Sequence, residues 1–262
     1  MAEMRAKMAA TREKRHAEWL HASDTLRRDP RLLAYYQMSA TEGQNLPNES
    51  VTDAAQVGEA AIVAAAHVAD RWGTPGCTLD FSPTGSRVRV NVPGEHHALT
   101  LMPWVKINSL VRLYNSLFLT EGHDLGEPHW QIMDDGRLFF SVKSRESIKG
   151  KSDKHVFYSP VIWNPSLSGQ WVMIATVYDP DGKRVTHYPN GKPVSSEAIP
   201  GEYLADRVSI GAASIGNWSE PAYRKGPEFA VRNLNGSMDE FFLFNAALTA
   251  SEIARIYESG KP

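Results

Sequence analysis

Apolar and polar positions alternate with a period of two through much of this chain, most clearly between Trp171 and Val194. Trp171, Met173, Ala175 and Val177 alternate with Val172, Ile174, Thr176 and Tyr178, and this β-branched, apolar pattern is what a buried strand requires. Asp179-Pro-Asp-Gly182 stops the strand, because proline presets φ, aspartate bonds nearby backbone and glycine accepts positive φ. A second strand then runs from Lys183 to Tyr188. Asn190-Gly191 reverses the chain again with the dipeptide that favours a type I′ hairpin. The same signals predict strands over residues 32–38, 87–92, 98–107, 116–120, 130–133, 138–142, 207–210 and 237–244. Residues 60–69 fit strand or helix, since alanine favours one and Ile62-Val63 with flanking glycine the other. Short strands at this density imply an all-β fold of two packed antiparallel sheets.

Both ends break the pattern. Residues 1–28 are rich in alanine, methionine, arginine, lysine and glutamate without glycine or proline, which predicts a helix. Met4, Met8, Thr11 and Arg15 make no apolar stripe, so the helix reads as solvated or partner-dependent, with Trp19, Leu20 and Leu26 able to dock its later part. Asp29-Pro30 closes it. At the other end, Thr249-Ala-Ser-Glu252 has capping-box spacing, and Ile253, Ile256 and Tyr257 share one face of a short helix. Gly260 stands where a left-handed cap is common. The domains expected are a helical segment over 1–29 and a sandwich over 30–262.

Composition narrows the function classes. The 262 residues, 42% hydrophobic, can bury a substantial core. A net charge of −2 leaves no footprint for nucleic acid. Cys77 is the only cysteine, which excludes an internal disulfide and a thiolate zinc cluster. No apolar run reaches the ~18 residues of a membrane span.

Several blocks resemble laminin-G-like, concanavalin A-like jelly-roll domains. They are Leu33-Ala-Tyr-Tyr36, Ala98 to Val105, Trp130-Gln-Ile132 with Asp135-Gly136, the Trp171 to Val194 meander, and Asn235-Gly-Ser-Met-Asp-Glu-Phe-Phe-Leu-Phe244 followed by Ala247-Leu-Thr and the capped helix. The likeness is strongest to jelly-roll domains attached to bacterial FecR-type, sigma-factor-linked membrane regulators. It implies a two-sheet jelly roll, an extracytoplasmic location, and membrane tethering through sequence upstream of this chain. It also implies a structural calcium on the sandwich rim with Asp239 as carried-over ligand. Asp239 and Glu240 capping loops or binding backbone amides is the other reading. Relatives carry an acidic-glycine segment after the first strand, whereas here the acid is displaced to Glu42.

Enzymatic chemistry finds little support in the residues. Sandwich glycosidases need two carboxylates roughly 5 to 9.5 Å apart across the scissile bond. Asp239 and Glu240 are adjacent, so a regular strand sends them to opposite faces. Asp134-Asp135 and Asp179/Asp181 fall in turns, where they stabilise the reversal. His123, Asp124 and His129 could assemble a zinc site on a loop, or be ordinary surface polar residues. No nucleophile elbow or phosphate loop occurs. A binding role remains, because aromatic faces cover ligand at small entropic cost while polar neighbours orient it. Trp218, with Asn217 and Tyr223, and Trp130, next to His129, are the ligand-binding candidates, although Trp218 could instead pin its own loop. The reading is a non-catalytic binding or sensing module for a carbohydrate or protein partner. A glycoside hydrolase-like enzyme on the same fold is the alternative.

Overall fold

The alternating segments pair into two antiparallel sheets, and the computed structural model describes residues 2–41, 43–52, 56–122, 124–218 and 231–262. With strands numbered in chain order, the first sheet runs β14 (Ser195–Ala198), β13 (Arg184–Pro189), β12 (Trp171–Asp179), β7 (Leu99–Ile107), β16 (Gly236–Phe244), β5 (Thr78–Asp80) and β4 (Ala66–Val68). β1 (Leu32–Tyr36) also pairs with β16. The second sheet runs β11 (Phe157–Val161), β10 (Arg137–Val142), β9 (Pro128–Met133), β8 (Tyr114–Thr120), β15 (Val208–Ile215), β6 (Arg87–His96), β3 (Ala60–Val63) and β2 (Asn45–Leu46). The Ala60–Ala69 ambiguity resolves into the two short strands β3 and β4, separated where Ala64 takes φ 54°.

The meander folds as its turn chemistry dictates. Asn190 and Gly191 both adopt positive φ, 47° and 75°, as a type I′ reversal demands. The carboxylate of Asp179 accepts from the Gly182 amide at 2.9 Å, which fixes the first turn.

Two hydrophobic cores result. Between the sheets, Val172, Ile174 and Phe241 of one meet Val88, Phe118, Trp130 and Phe140 of the other. On the far side of the first sheet, Met173, Ala175, Trp104, Phe242 and Phe244 are covered by two helices, α1 (Ala2–Leu26) and α2 (Ala250–Gly260). β12 is apolar on both faces for this reason: each face has its own core.

Each helix docks differently. α2 begins at a complete Thr249/Glu252 capping box and buries Ile253 and Ile256. Gly260 is its last helical residue, not a left-handed cap, and is followed by Lys261 at φ −73°. Its lack of a side chain serves packing, since a Cβ there would lie 3.3 Å from both Trp19 and Trp104. α1 docks from Arg12 onward by long polar and aromatic side chains, which leave no apolar stripe in the sequence. Trp19 is buried, His16 stacks on Trp72 at 5.2 Å, and Arg12 and Arg15 donate to the carbonyls of Trp72 and Glu258. Leu20 stays exposed, while Leu26 packs partly buried.

Candidate functional site

Among the described residues no helix lies over the outer face of the second sheet, and the side chains on it differ in kind from those beneath α1 and α2. Along β9 and β10 the period of two sends Trp130, Ile132, Leu138 and Phe140 inward, so His129, Gln131 and Phe139 face out. Cross-strand register then aligns Phe139 with Gln131 on one side and with Tyr158 of β11 on the other. Phe139 meets Tyr158 and Tyr114 edge to face, at 5.7 and 6.2 Å between ring centroids. Arginines close both ends of this row. Arg137 lies 4.6 Å over the Tyr158 ring, and Arg232 sits 4.4 Å from Tyr114 and 4.5 Å from Trp218. Such cation–π contacts add about 0.5 to 2 kcal/mol each, depending on desolvation. The row therefore presents rigid rings and fixed cations.

At its Tyr158 end the row leads to the rim of the sandwich. A groove of about 430 Å³ opens there between the β7–β8 loop, the β9–β10 turn and the segment after β11. Val111 and Val161, 73% and 59% exposed, line it with Trp163, Asn108, Asn164 and Asp134. Trp163 is 6% exposed, and its buried indole N–H has no hydrogen-bond partner among the described residues. Gly136 is obligatory in the adjoining turn: its φ is 84°, and a Cβ would fall 2.0 Å from the Trp163 carbonyl oxygen. Partial burial raises the Asp135 carboxyl, but the amide and guanidinium of Arg137 hold it below the usual carboxylate range.

The sequence-predicted ligand residues divide. His129 and Trp218 come together, edge to face at 6.0 Å. Asn217 adjoins them, but its amide donates to the Ser86 carbonyl and its oxygen accepts from the Trp218 amide. Trp218 is buried, and its indole donates to the Thr120 carbonyl at 3.0 Å, so it pins its own loop. Trp130 turns into the core with no exposed surface, because it occupies the opposite parity to His129. Tyr223, His123 and Glu42 lie outside the described residues. Tyr158, Tyr114 and Trp163 carry no sequence signal beyond being aromatic. The turn aspartates Asp134-Asp135 were the available pointer to the rim.

Asp239 and Glu240 require a correction. Adjacency does not separate them, because the β16–β7 register shifts between Met238 and Phe241. That bulge turns both carboxylates outward from the inter-sheet core. They converge on Arg71, whose guanidinium lies 2.5 Å from Asp239 and 2.7 Å from Glu240. Trp19, Trp72 and Trp104 surround the guanidinium at 4.9 to 5.2 Å. Glu240 also accepts from Trp19 Nε1 and the Tyr35 hydroxyl, and Arg71 Nε donates to the carbonyl of Gly260. Burial pushes the Asp239 carboxyl up to about 7; Arg71 pulls it down, while Glu240 and Asp70 add to the push.

This donor set does not fit calcium. A calcium ion takes six to eight oxygens at roughly 2.3 to 2.6 Å, whereas here an internal guanidinium already faces both carboxylates and fills the space among the tryptophans. Among the described residues, no group of three histidine, cysteine, aspartate or glutamate side chains could hold a metal.

Comparison with known proteins agrees with the architecture. The model of the Laminin_G_3 family, described as the concanavalin A-like lectin/glucanases superfamily, matches residues 84–254. No curated protein matches the chain. Among solved structures, the receptor-binding domain of botulinum neurotoxin D is similar at TM-score 0.60 and 14% identity, over 87% of this chain and 52% of that one. The binding domain of Paraclostridial Mosquitocidal Protein 1 is similar at TM-score 0.61 and 18% identity, over 87% and 52%. The serotype D ligand-binding domain solved with N-acetylneuraminic acid gives TM-score 0.59 and 14% identity, over 88% and 51%. This chain spans about half the length of each, and likeness at these identities concerns the fold.

Proposed function

The chain belongs to the Laminin_G_3 family of the concanavalin A-like lectin/glucanases superfamily, and on that scaffold we propose a non-catalytic module that binds carbohydrate on the outer face and rim of its second sheet. The observation that carries the reading is the half-exposed Tyr158 ring, 37% accessible and backed by Arg137, beside a groove walled by exposed valines, amides and a carboxylate. Flat rings take the apolar faces of sugar rings, and convergent polar groups orient the hydroxyls. Structural neighbours whose descriptions name receptor binding and N-acetylneuraminic acid give the reading a precedent on this fold.

A glycosidase is the weaker reading. The carboxylate pair of β16, Asp239 and Glu240, is engaged by Arg71 beneath α1. In the groove, Asp135 is held ionised by Arg137, the reverse of what a general acid needs. The resemblance to domains of FecR-type regulators supports an extracytoplasmic placement, with α1 leading towards a membrane tether upstream. No described helix is itself long and apolar enough to cross a membrane.

A glycan array probed with the wild type, Tyr158→Ala and Trp218→Ala tests the proposal. Binding that falls at least tenfold in Tyr158→Ala is the expected result. Trp218→Ala should weaken binding only through its loop. Absence of any bound glycan would remove the carbohydrate reading in favour of a protein partner.

A further inference from the structure

We infer that the rim groove selects neutral, hydroxyl-rich sugars over anionic ones, an inference that rests on the carbohydrate reading above. The polar residues lining the groove are Asn108, Ser109, Asp134, Asp135, Asn164 and Ser168, and no lysine, arginine or histidine is among them. Of the arginines flanking it, Arg137 is committed to Asp135 at 2.7 Å and to the face of Tyr158, and Arg112, next to Val111, donates to the Asn233 carbonyl at 2.7 Å. Asp134, by contrast, is exposed and makes no side-chain hydrogen bond or ion pair with the described residues. A sugar hydroxyl can donate to that carboxylate. A sugar carboxylate or sulfate would instead meet like charge at Asp134, while the guanidinium of Arg137 is already paired with Asp135.

Size and shape agree with this assignment. About 430 Å³ lies towards the small end of the ~300 to 1,000 Å³ typical of small-molecule sites, which suits one or two sugar rings. Val111 and Val161 both line the groove as exposed apolar walls, a place for ring C–H faces or an N-acetyl methyl. Exposed apolar side chains clustered around polar groups are how binding sites differ from ordinary surface. The groove thus combines apolar walls with acceptors, and what it lacks is a cation.

The charge argument gives a magnitude. Like charges about 6 Å apart near a protein surface repel enough to cost roughly tenfold in affinity, less at high salt. The test is an array of matched pairs, each neutral oligosaccharide beside its sialylated counterpart, probed at low and physiological salt with wild type, Asp134→Asn and Val161→Asp. Both positions are exposed, and melting temperature checks that each variant folds. The inference expects neutral members to bind about tenfold better than sialylated ones, the gap to shrink in Asp134→Asn, and all binding to fall in Val161→Asp. Equal or better binding of sialylated members would overturn the selectivity while leaving the carbohydrate reading intact. Neutral binding that Val161→Asp does not change would overturn the location. No binding by any member would overturn both proposals together.

Discussion

The two outer faces of this sandwich are built from strands of the same kind, yet among the described residues helices cover the first, while the second reaches solvent through Tyr158 and the rim groove. Beneath α1 and α2 the first sheet carries Met173, Trp104, Phe242 and Phe244 in a second core, locked by Arg71 between two carboxylates and three tryptophans. The second sheet carries Phe139, Tyr114, Tyr158 and two arginines, and it ends in a groove. Buried arginine and tryptophan lock the first face, whereas on the second the proposed site offers Tyr158, 37% exposed, with Phe139 and Arg232 buried behind it. Residue type does not separate these roles; exposure and commitment of hydrogen bonds do.

The largest expected effect comes from breaking the closed face. Arg71→Ala leaves Asp239 and Glu240 buried without a cation and removes the bond to the Gly260 carbonyl, so stability should fall by about 3 to 5 kcal/mol in chemical denaturation. Both helices should become open to proteolysis. Wild-type melting temperature should be the same with calcium and with chelator, and a rise with calcium would contradict the assignment of Arg71 as the cation of this site.

The two cores should also answer pH in opposite directions. His187 lies in the meander between Thr176 and the Phe157 carbonyl, and burial lowers its pKa to about 4. A lowered pKa means that the unfolded state binds more protons between pH 4 and 6.5, so this contribution, on the order of 3 kcal/mol, is lost as pH falls. Asp239 is raised from 3.8 to about 7, so its contribution is fully present below pH 3.8 and is lost as pH rises through 7. Denaturation across pH 4 to 7 should show stability rising with pH more steeply in Asp239→Asn than in wild type, and falling with pH in His187→Gln. Identical slopes in all three proteins would refute the contrast.

Much of this contrast was legible in the sequence, and the missing parts have physical causes. The meander, its Asn190-Gly191 reversal and the Thr249 capping box are set by local chemistry, so alternation and turn residues suffice to read them. β12, apolar on both faces, already implies cover on two sides. What alternation cannot read is where it is interrupted. The bulge between Met238 and Phe241 depends on pairing with β7, so it reunites two carboxylates that strand parity would separate. Parity also decides between His129 and Trp130, and the larger residue is the one that goes inside. Tyr158 and Trp163 become meaningful only when the β9–β10 turn and the chain after β11 meet, a contact between segments that local pattern does not encode.

A smaller change sharpens the closed face. Trp19→Phe keeps most of the buried ring but removes the 2.8 Å bond from the indole to Glu240, leaving a buried carboxylate oxygen with one partner fewer. A loss of about 1 to 3 kcal/mol is expected by denaturation. Limited proteolysis should then cut α1 before the sandwich.

The smallest stability effect belongs to the open face, and it is the most discriminating. Tyr158 is partly exposed on the edge strand β11, and its ring contacts among the described residues are with Phe139 and Arg137. Tyr158→Ala should change unfolding free energy by no more than about 0.5 to 1 kcal/mol, the range for a surface position with one aromatic contact. If the open face is built for recognition, the same substitution should nonetheless cost at least tenfold in glycan binding, whereas Trp19→Phe should leave binding at the wild-type level. A Tyr158→Ala protein that loses several kcal/mol would mean that the aromatic row holds the sheet together, and the distinction between a locking face and a recognising face would collapse.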